Sequence, residues 1–232
     1  KNYSSDSSGV LFNKEKTTII KYPAGKNNKS YSIPDSVITI GNNAFSCCKL
    51  VDLPICSNVQ IIGASAFSFC DNLTCIAIPN SVTTIGDKAF NACWNLTNIN
   101  ISSSVTSIGF DVFFNCNNLE SIVVDSTNTC YSSDAFGVLF NKDKTSLLQY
   151  PRGNAIRYYT VPDNVETIVS PGFSHCENLY GISLGNNLKT IDTQSFWGCT
   201  NLKNINIPGS LTTISFASFD DCVSLETVTI EN

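Results

Sequence analysis

The sequence predicts a repeat solenoid of the α/β type, a right-handed, curved stack of short coils with a parallel sheet along its concave side. Three observations carry this. Phe67, Phe90 and Phe113 recur at one constant spacing (90−67 and 113−90), Phe173, Phe196 and Phe219 recur at the same spacing, and Phe45 precedes the first set by one position less. Three positions after each stands a cysteine: Cys48, Cys70, Cys93, Cys116, Cys176, Cys199 and Cys222. A second, longer self-match, which aligns Tyr3 with Tyr131, then divides the chain into two super-repeats. A fixed period of this kind marks a stack of like coils, each resting on its neighbours.

The whole chain, 1–232, reads as one solenoid in four stretches. Residues 1–32 form a special module: Gly9–Phe12 reads as a strand, Asn13–Lys16 as a polar turn and Thr17–Tyr22 as a second strand, the pattern of a β-hairpin. Residues 33–124 are ordinary coils. Residues 125–160 repeat the module, with Tyr131-Ser132-Ser133-Asp134 matching Tyr3-Ser4-Ser5-Asp6 and Gly137–Lys142 matching Gly9–Lys14. Residues 161–232 are coils again. Two readings of the modules stay open: a long coil that continues the stack, or a hairpin that protrudes to bind a partner.

Within an ordinary coil the order of elements follows from residue type. The segment ending Leu96-Thr97-Asn98-Ile99-Asn100-Ile101 alternates apolar and polar positions, the period of a half-buried strand. One such strand per coil is expected, paired in parallel with the next at about 4.8 Å. Pro34, Pro79, Pro162 and Pro208 follow the strands, where a missing N–H ends ladder pairing. Gly41, Gly63 and Gly86 are expected at the next corner, in backbone with positive φ. The Ala-Phe-x-x-Cys segment is too short for a stable helix and predicts a single helical or 3₁₀ turn with Phe and Cys inward. Burying one Phe is worth about 1.5–3 kcal/mol, so this ladder is a main source of cohesion. Asn72, Asn95, Asn118, Asn178 and Asn201 precede the strands and predict an Asn ladder closing each corner. Asn72-Leu73-Thr74 and Asn95-Leu96-Thr97 are also formal glycosylation sequons, which a chain this rich in Asn, Ser and Thr yields by chance.

Composition excludes several classes. Charged residues make up 14% of the chain, well below the roughly 25% typical of globular proteins, and 42% are hydrophobic, which excludes a disordered or charged coiled-coil chain. A net charge of −5 without a basic run leaves no footprint for nucleic acid or for an anionic membrane surface. No apolar run approaches the roughly 20 residues of a membrane span. The chain has no methionine and opens inside a repeated motif, so a trimmed fragment of a longer array is expected, with any signal or anchor outside it.

The residues give no constellation for chemistry. Eleven cysteines are an odd number, seven of them on the ladder and the others Cys47, Cys56, Cys75 and Cys130. No C-x-x-C pair exists and His175 is the single histidine, so the ligand spacing of a zinc site is missing. Cysteines recurring in every coil suit small buried hydrophobes, although neighbouring coils stand close enough to bridge. His175 is adjacent to Cys176, yet adjacent side chains point apart and Cys176 is expected inward, against a Cys–His nucleophile. No phosphate-binding loop or nucleophile elbow is present. The expectation is no catalytic, cofactor-binding or metal residue, and no cofactor.

What remains is surface. Between the buried positions of the strands lie Asn98, Asn100, Ser121, Ser183, Asn204, Asn206, Thr227 and Thr229, with Cys75, Ala77, Val123 and Gly181. This neutral, small, polar set either keeps the sheet soluble or hydrogen-bonds a protein or glycan. Trp94, Trp197, Tyr158 and Tyr180 are candidate anchors.

The unit I-P-x-S-V-x-x-I-G-x-x-A-F-x-x-C-x-x-L-x-x-I-x, carried by Ile33–Ile55, Ile78–Ile101 and the coils ending at Ile207 and Ile230, resembles the BspA-like leucine-rich repeat family, including the treponemal type. Departures are Cys56 in place of proline, Val169 in place of glycine and one residue missing between Cys48 and Leu50. The resemblance implies a leucine-rich repeat solenoid and a binding or adhesion module of a cell-surface or secreted protein. Its partners would be protein or glycan, host extracellular matrix or another cell, with neither nucleic acid nor a membrane span. An intracellular interaction scaffold is the alternative.

Overall fold

The computed structural model describes residues 2–231, in two compact units. Unit 1 comprises residues up to Leu119 together with Val124–Cys130; unit 2 comprises Glu120–Val123 and everything from Tyr131 onward. All regular structure among the described residues is strand.

In unit 1, β1 (Tyr3–Ser5), β2 (Leu11–Asn13) and β3 (Thr18–Lys21) form an antiparallel meander. The parallel strands β4 (Thr39–Ile40) and β5 (Ile61–Ile62) continue from β3. A separate strand, β6 (Cys75–Ala77), comes next in the chain. β7 (Thr84–Ile85) then extends the first sheet by pairing with β5. β8 (Asn98–Ile101) pairs in parallel with β6, and β9 (Ser107–Ile108) with β7. The division between the units falls within β10 (Ser121–Val124).

Unit 2 repeats the plan. β11 (Tyr131–Ser133), β12 (Leu139–Asn141) and β13 (Ser146–Gln149) are the meander. β14 (Tyr158–Thr160), β16 (Gly181–Ser183), β18 (Asn204–Ile207) and β20 (Thr227–Ile230) make one parallel sheet. β15 (Thr167–Ile168), β17 (Thr190–Ile191) and β19 (Thr213–Ile214) extend the meander into the other.

From β5 onward the ordinary coils therefore supply two strands each, not the single one expected, while residues 33–55 supply β4 and an isolated bridge at Asp52. The second strand of a coil is a two-residue strand ending in the Ile of Val/Leu-x-x-Ile, a pair too short for alternation to register in a sequence. A local turn separates the two: Val82 N–H donates to Pro79 O at 3.0 Å and Leu211 N–H to Pro208 O at 3.0 Å. Proline thus ends the first strand and accepts the bond that closes the corner.

The Ala-Phe-x-x-Cys segment is not helical, which corrects the expected helical or 3₁₀ turn. Its N–H groups alternate between two destinations. Asn43, Phe45 and Cys47 donate to Ala64, Ala66 and Ser68 of the next coil at 2.8–2.9 Å. Ala44, Ser46 and Cys48 donate three positions back, to Gly41, Asn43 and Phe45. An α-helix would commit successive N–H groups to carbonyls one turn back and leave none for the neighbouring coil. The alternation bends the backbone into the left-handed region at Asn43 (φ 56°) and Cys47 (φ 62°), and likewise at Lys88 and Ala92. Left-handed conformation costs a non-glycine residue about 1–2 kcal/mol, which the intercoil bonds offset.

The glycines at the corner act differently from the expectation as well. Gly41, Gly63, Gly86 and Gly109 have no positive φ. Instead a Cβ at any of them would lie 2.4–2.6 Å from the nearest atom of the preceding coil, with backbone crowded at each site. They are small because the coils approach closely there.

Inside each unit the aromatic rings form a continuous stack. Phe45, Phe67, Phe90 and Phe113 follow one another at centroid distances of 5.2–6.0 Å and nearly parallel. In unit 2, Phe173, Phe196 and Phe219 do the same at 4.9 and 5.2 Å. The special modules join this stack. Tyr22 stacks on Phe45 at 5.5 Å and Tyr150 on Phe173 at 5.2 Å, each one full period ahead of its phenylalanine. A carboxylate organises each module. Asp6 accepts from Val10 N–H and Tyr31 O–H; Asp134 accepts from Phe136 N–H, Val138 N–H and Tyr159 O–H.

The ladder cysteines sit under this stack as thiols. Cys70, Cys93, Cys116, Cys199 and Cys222 donate S–H to the carbonyls of Phe45, Phe67, Phe90, Phe173 and Phe196 at 3.1–3.2 Å; Cys48 and Cys176 are buried in the same place. A small apolar side chain with one weak donor matches a buried carbonyl that a backbone N–H already shares. Burial pushes Cys48, Cys70 and Cys176 up to about 12. Because the thiolate is the nucleophile, these groups stay inert well above neutral pH. With iodoacetamide at pH 8, Cys47 and Cys75, which are exposed, are expected to react first, and the ladder thiols only in denaturant. Peptide mass mapping checks this; alkylated ladder cysteines in native protein would contradict the stack.

The asparagine ladder is present. Asn72, Asn95, Asn178 and Asn201 donate to backbone carbonyls of the preceding coil at 2.6–3.1 Å, and Asn118 donates to the Asn95 side chain at 3.3 Å. A second run at the other corner, Asn58, Asn164 and Asn187, reaches preceding carbonyls at 2.8–2.9 Å.

Candidate functional site

The strand face of unit 2 forms a groove of about 490 Å³. It runs over β14, β16, β18 and β20, whose parallel register sets its chemistry row by row. One row reads Tyr158, Gly181, Asn204, Thr227 and the next but one reads Thr160, Ser183, Asn206, Thr229. Between them Tyr159, Ile182 and Ile205 point into the core. Alternation on a pleated strand forces this division.

The first row is the unusual one. Tyr158 is 74% exposed. Its ring lies over Gly181, where a Cβ would stand 2.9 Å from Cδ1 and 3.1 Å from Cε1. A glycine at this position leaves room for the ring to lie on the sheet. Tyr180 lines the same groove, and the Arg157 guanidinium lies 5.1 Å from its ring centroid, a cation–π contact that orients the ring. Among the described residues the Asn204 side chain makes no hydrogen bond. Asn206 is engaged: it accepts from Thr229 O–H at 2.8 Å and donates to Glu231 Oε1. Lys203 is the one cation lining the groove, and it is paired with Glu226 at 3.6 Å.

Of the residues expected on this face, Ser183, Asn204, Asn206, Thr227 and Thr229 come together in the groove. Asn98 and Asn100 are exposed on β8 of unit 1, beside Cys75 and Ala77 of β6, and Ser121 is half-buried on β10. Thr160 and Lys203 lie outside the expected set, and Tyr158 and Tyr180 enter it only as candidate anchors. A signal for the missing strand exists: Tyr158-Tyr159-Thr160-Val161 alternates like the other strands, with Tyr159 where they carry Ile.

The other aromatics are packing pieces or isolated. Trp197 Nε1–H donates to Asp221 at 3.0 Å and its ring meets His175 edge-on at 4.5 Å; Trp94 is half exposed on the outer turn. Burial is the main effect pulling His175 below the usual histidine range, with Arg152 adding to it. Its ring abuts Gly198 while Cys176 is buried, so the two do not form a nucleophile–base pair. Among the described residues no cluster of His, Cys, Asp and Glu is arranged to hold a metal ion, and no helix is long and apolar enough to cross a membrane.

The model of the BspA type leucine-rich repeat region matches residues 21–139 and 152–232, in six copies. The chain belongs to the BspA type leucine-rich repeat family. A leucine-rich repeat protein from Eubacterium ventriosum is 29% identical with a TM-score of 0.79 over 89% of this chain; the chain spans 55% of that protein's length. The pneumococcal vaccine antigen PcpA shares the fold at 20% identity and a TM-score of 0.71, covering 100% of this chain and 71% of that one. A leucine-rich cell surface protein from Faecalibacterium prausnitzii does so at 22% identity and 0.55, covering 99% and 95%. No curated protein matches the chain.

Proposed function

We propose that this BspA type chain is a non-enzymatic binding or adhesion module of a cell-surface or secreted protein, with the groove of unit 2 as its ligand surface. The observation that carries this is the contrast within one chain. The Phe, Cys, Asn and Gly ladders are repeated from coil to coil and serve the stack. The residues over β14, β16 and β18 differ from coil to coil and are exposed, aromatic and polar. Proteins of the same fold include one described as a cell surface protein and one as a vaccine antigen, which supports the surface reading. Host matrix protein, cell-surface protein and glycan are the ligand classes in view. Residues 1–32 and 125–160 are proposed as modules that each open a run of coils, with Tyr22 and Tyr150 stacked on the first phenylalanine of the run.

The test is binding of the purified chain to immobilised matrix proteins and to intact epithelial cells. Replacing Asn204 and Asn206 with lysine is expected to lower binding about ten-fold with an unchanged melting temperature. The same change at Asn98 and Asn100 should have a smaller effect. Equal binding by all variants to every partner found would remove the groove from this role. The eleven thiols favour a second reading, an intracellular interaction scaffold, since disulfides accumulate in oxidising compartments. Surface biotinylation of intact source cells separates the two.

A further inference from the structure

We propose that the Tyr158–Gly181 row is a subsite for a neutral saccharide, with the Tyr158 ring as its stacking platform. This rests on the groove being the ligand surface and names what it takes.

The chain supplies its own comparison. In the self-match of the two super-repeats, Ser30-Tyr31-Ser32-Ile33 corresponds to Tyr158-Tyr159-Thr160-Val161. The inward tyrosine is kept in both copies, and so is its bond to the module carboxylate, Tyr31 to Asp6 and Tyr159 to Asp134, each 2.7 Å. The outward residue is not kept. Ser30 bridges to Asp52 in unit 1, where Tyr158 pairs with Gly181 in unit 2. The scaffold is therefore indifferent to this pair. A tyrosine three-quarters exposed, over a glycine that gives it room, adds nothing to the core. It leaves an apolar ring in water next to an uncommitted amide.

That combination suits a pyranose. One face of the sugar ring is a patch of polarised C–H groups, which the negative face of an aromatic ring attracts. Its rim is hydroxyls, which need donors and acceptors together. Asn204 offers both, Thr227 adds a hydroxyl in the same row, and Thr160 and Ser183 add hydroxyls in the other outward row. A few convergent polar groups around an aromatic floor is the usual composition of a small-ligand site. Charge is compatible with this: among the described residues the lining cation Lys203 is paired with Glu226, and Arg157 beside the groove is stacked on the Tyr180 ring. A peptide is less well served. β16 and β18, which floor the groove, are paired along both edges, so a strand laid over them finds no ladder, and only the outer edge of β14 is open.

The experiment is calorimetric titration of the whole chain with three neutral probes, cellotetraose, the β-1,4 tetramer of N-acetylglucosamine and mannotetraose, with decaproline as the peptide probe. Saturable binding of at least one saccharide is expected. It should weaken about ten-fold in Tyr158→Ser, which removes the ring, and in Gly181→Asp, whose side chain meets it. Gly25→Ala in unit 1, where the added methyl meets nothing within 4 Å, should leave it unchanged. Both groove variants install residues the chain already tolerates at Ser30 and Asp52, and circular dichroism with a melting curve confirms folding. The saccharide assignment is overturned if no probe sugar binds saturably, or if binding is the same in Tyr158→Ser. Decaproline binding that depends on Tyr158, without sugar binding, also overturns it while leaving the groove as the ligand surface. Failure of the groove itself is read separately, from unaltered cell and matrix binding in the Asn204 and Asn206 variant.

Discussion

Phe196→Ala is expected to cost about 3–5 kcal/mol, the range for truncating a fully buried aromatic side chain. Phe196 is fully buried and lies between two parallel rings, Phe173 at 4.9 Å and Phe219 at 5.2 Å. Truncation removes both stacking partners at once and opens a cavity that the neighbouring coils cannot close, because intercoil hydrogen bonds fix their spacing: Phe173 N–H to Ser195 O, Phe196 N–H to Ser218 O. Domain stabilities are about 5–15 kcal/mol, so this loss approaches the whole. In a stack where each coil holds only its neighbours, the damage should fall first on the coil beyond the gap. Urea unfolding followed by circular dichroism measures it. Phe219→Ala, on a half-buried end ring with one partner, should cost clearly less. Equal small losses for both, below about 1 kcal/mol, would mean that the aromatic stack is not what holds the coils together.

The contrast between these two sites shows what was legible in the sequence. Period and identity were: a phenylalanine returning at constant spacing, each time followed by cysteine, announces a ladder, and the structure places those rings in contact. Tyr22 and Tyr150 are hidden as ladder members because the residue type changes while the place does not. The path of the backbone between ladder positions was less legible. Ala-Phe-x-x-Cys has the composition of a helical turn, and nothing local shows that alternate N–H groups leave for the next coil; that preference exists only once the coils are stacked. The short second strands were hidden for the same reason. The groove was half legible. Alternation marks Asn204, Asn206, Thr227 and Thr229; it runs through Tyr158–Val161 as well, but there it lies in a stretch that reads as part of a hairpin module. A ring lying over a glycine of the following coil is a relation across coils, and such relations have no signature in one coil's sequence.

Gly86→Ala follows from that same kind of relation. The substitution adds one methyl group to a residue without positive φ, so backbone conformation raises no objection. On propensity alone alanine would be neutral or mildly stabilising. The neighbouring coil decides otherwise. The new Cβ would lie 2.6 Å from Ala64 N, 2.8 Å from Gly63 C and 3.0 Å from Ala64 Cα, all backbone atoms of the preceding turn. No rotamer relieves a Cβ, and the backbone it meets is held by Gly63 N–H to Ile40 O and Gly86 N–H to Ile62 O, both 2.8 Å. Relief requires the coils to part, which lengthens those bonds and the 5.2 Å stack of Phe67 on Phe90 together. Overpacking of this kind costs about 1–3 kcal/mol, and here the upper end is expected because every contact is main chain. Gly25→Ala is the matched control, since a Cβ there meets nothing within 4 Å. A fall in urea midpoint for Gly86→Ala with none for Gly25→Ala establishes close approach as the reason for the corner glycines. Equal midpoints would mean that the coils can separate at little cost, and that the glycine ladder reflects something other than contact.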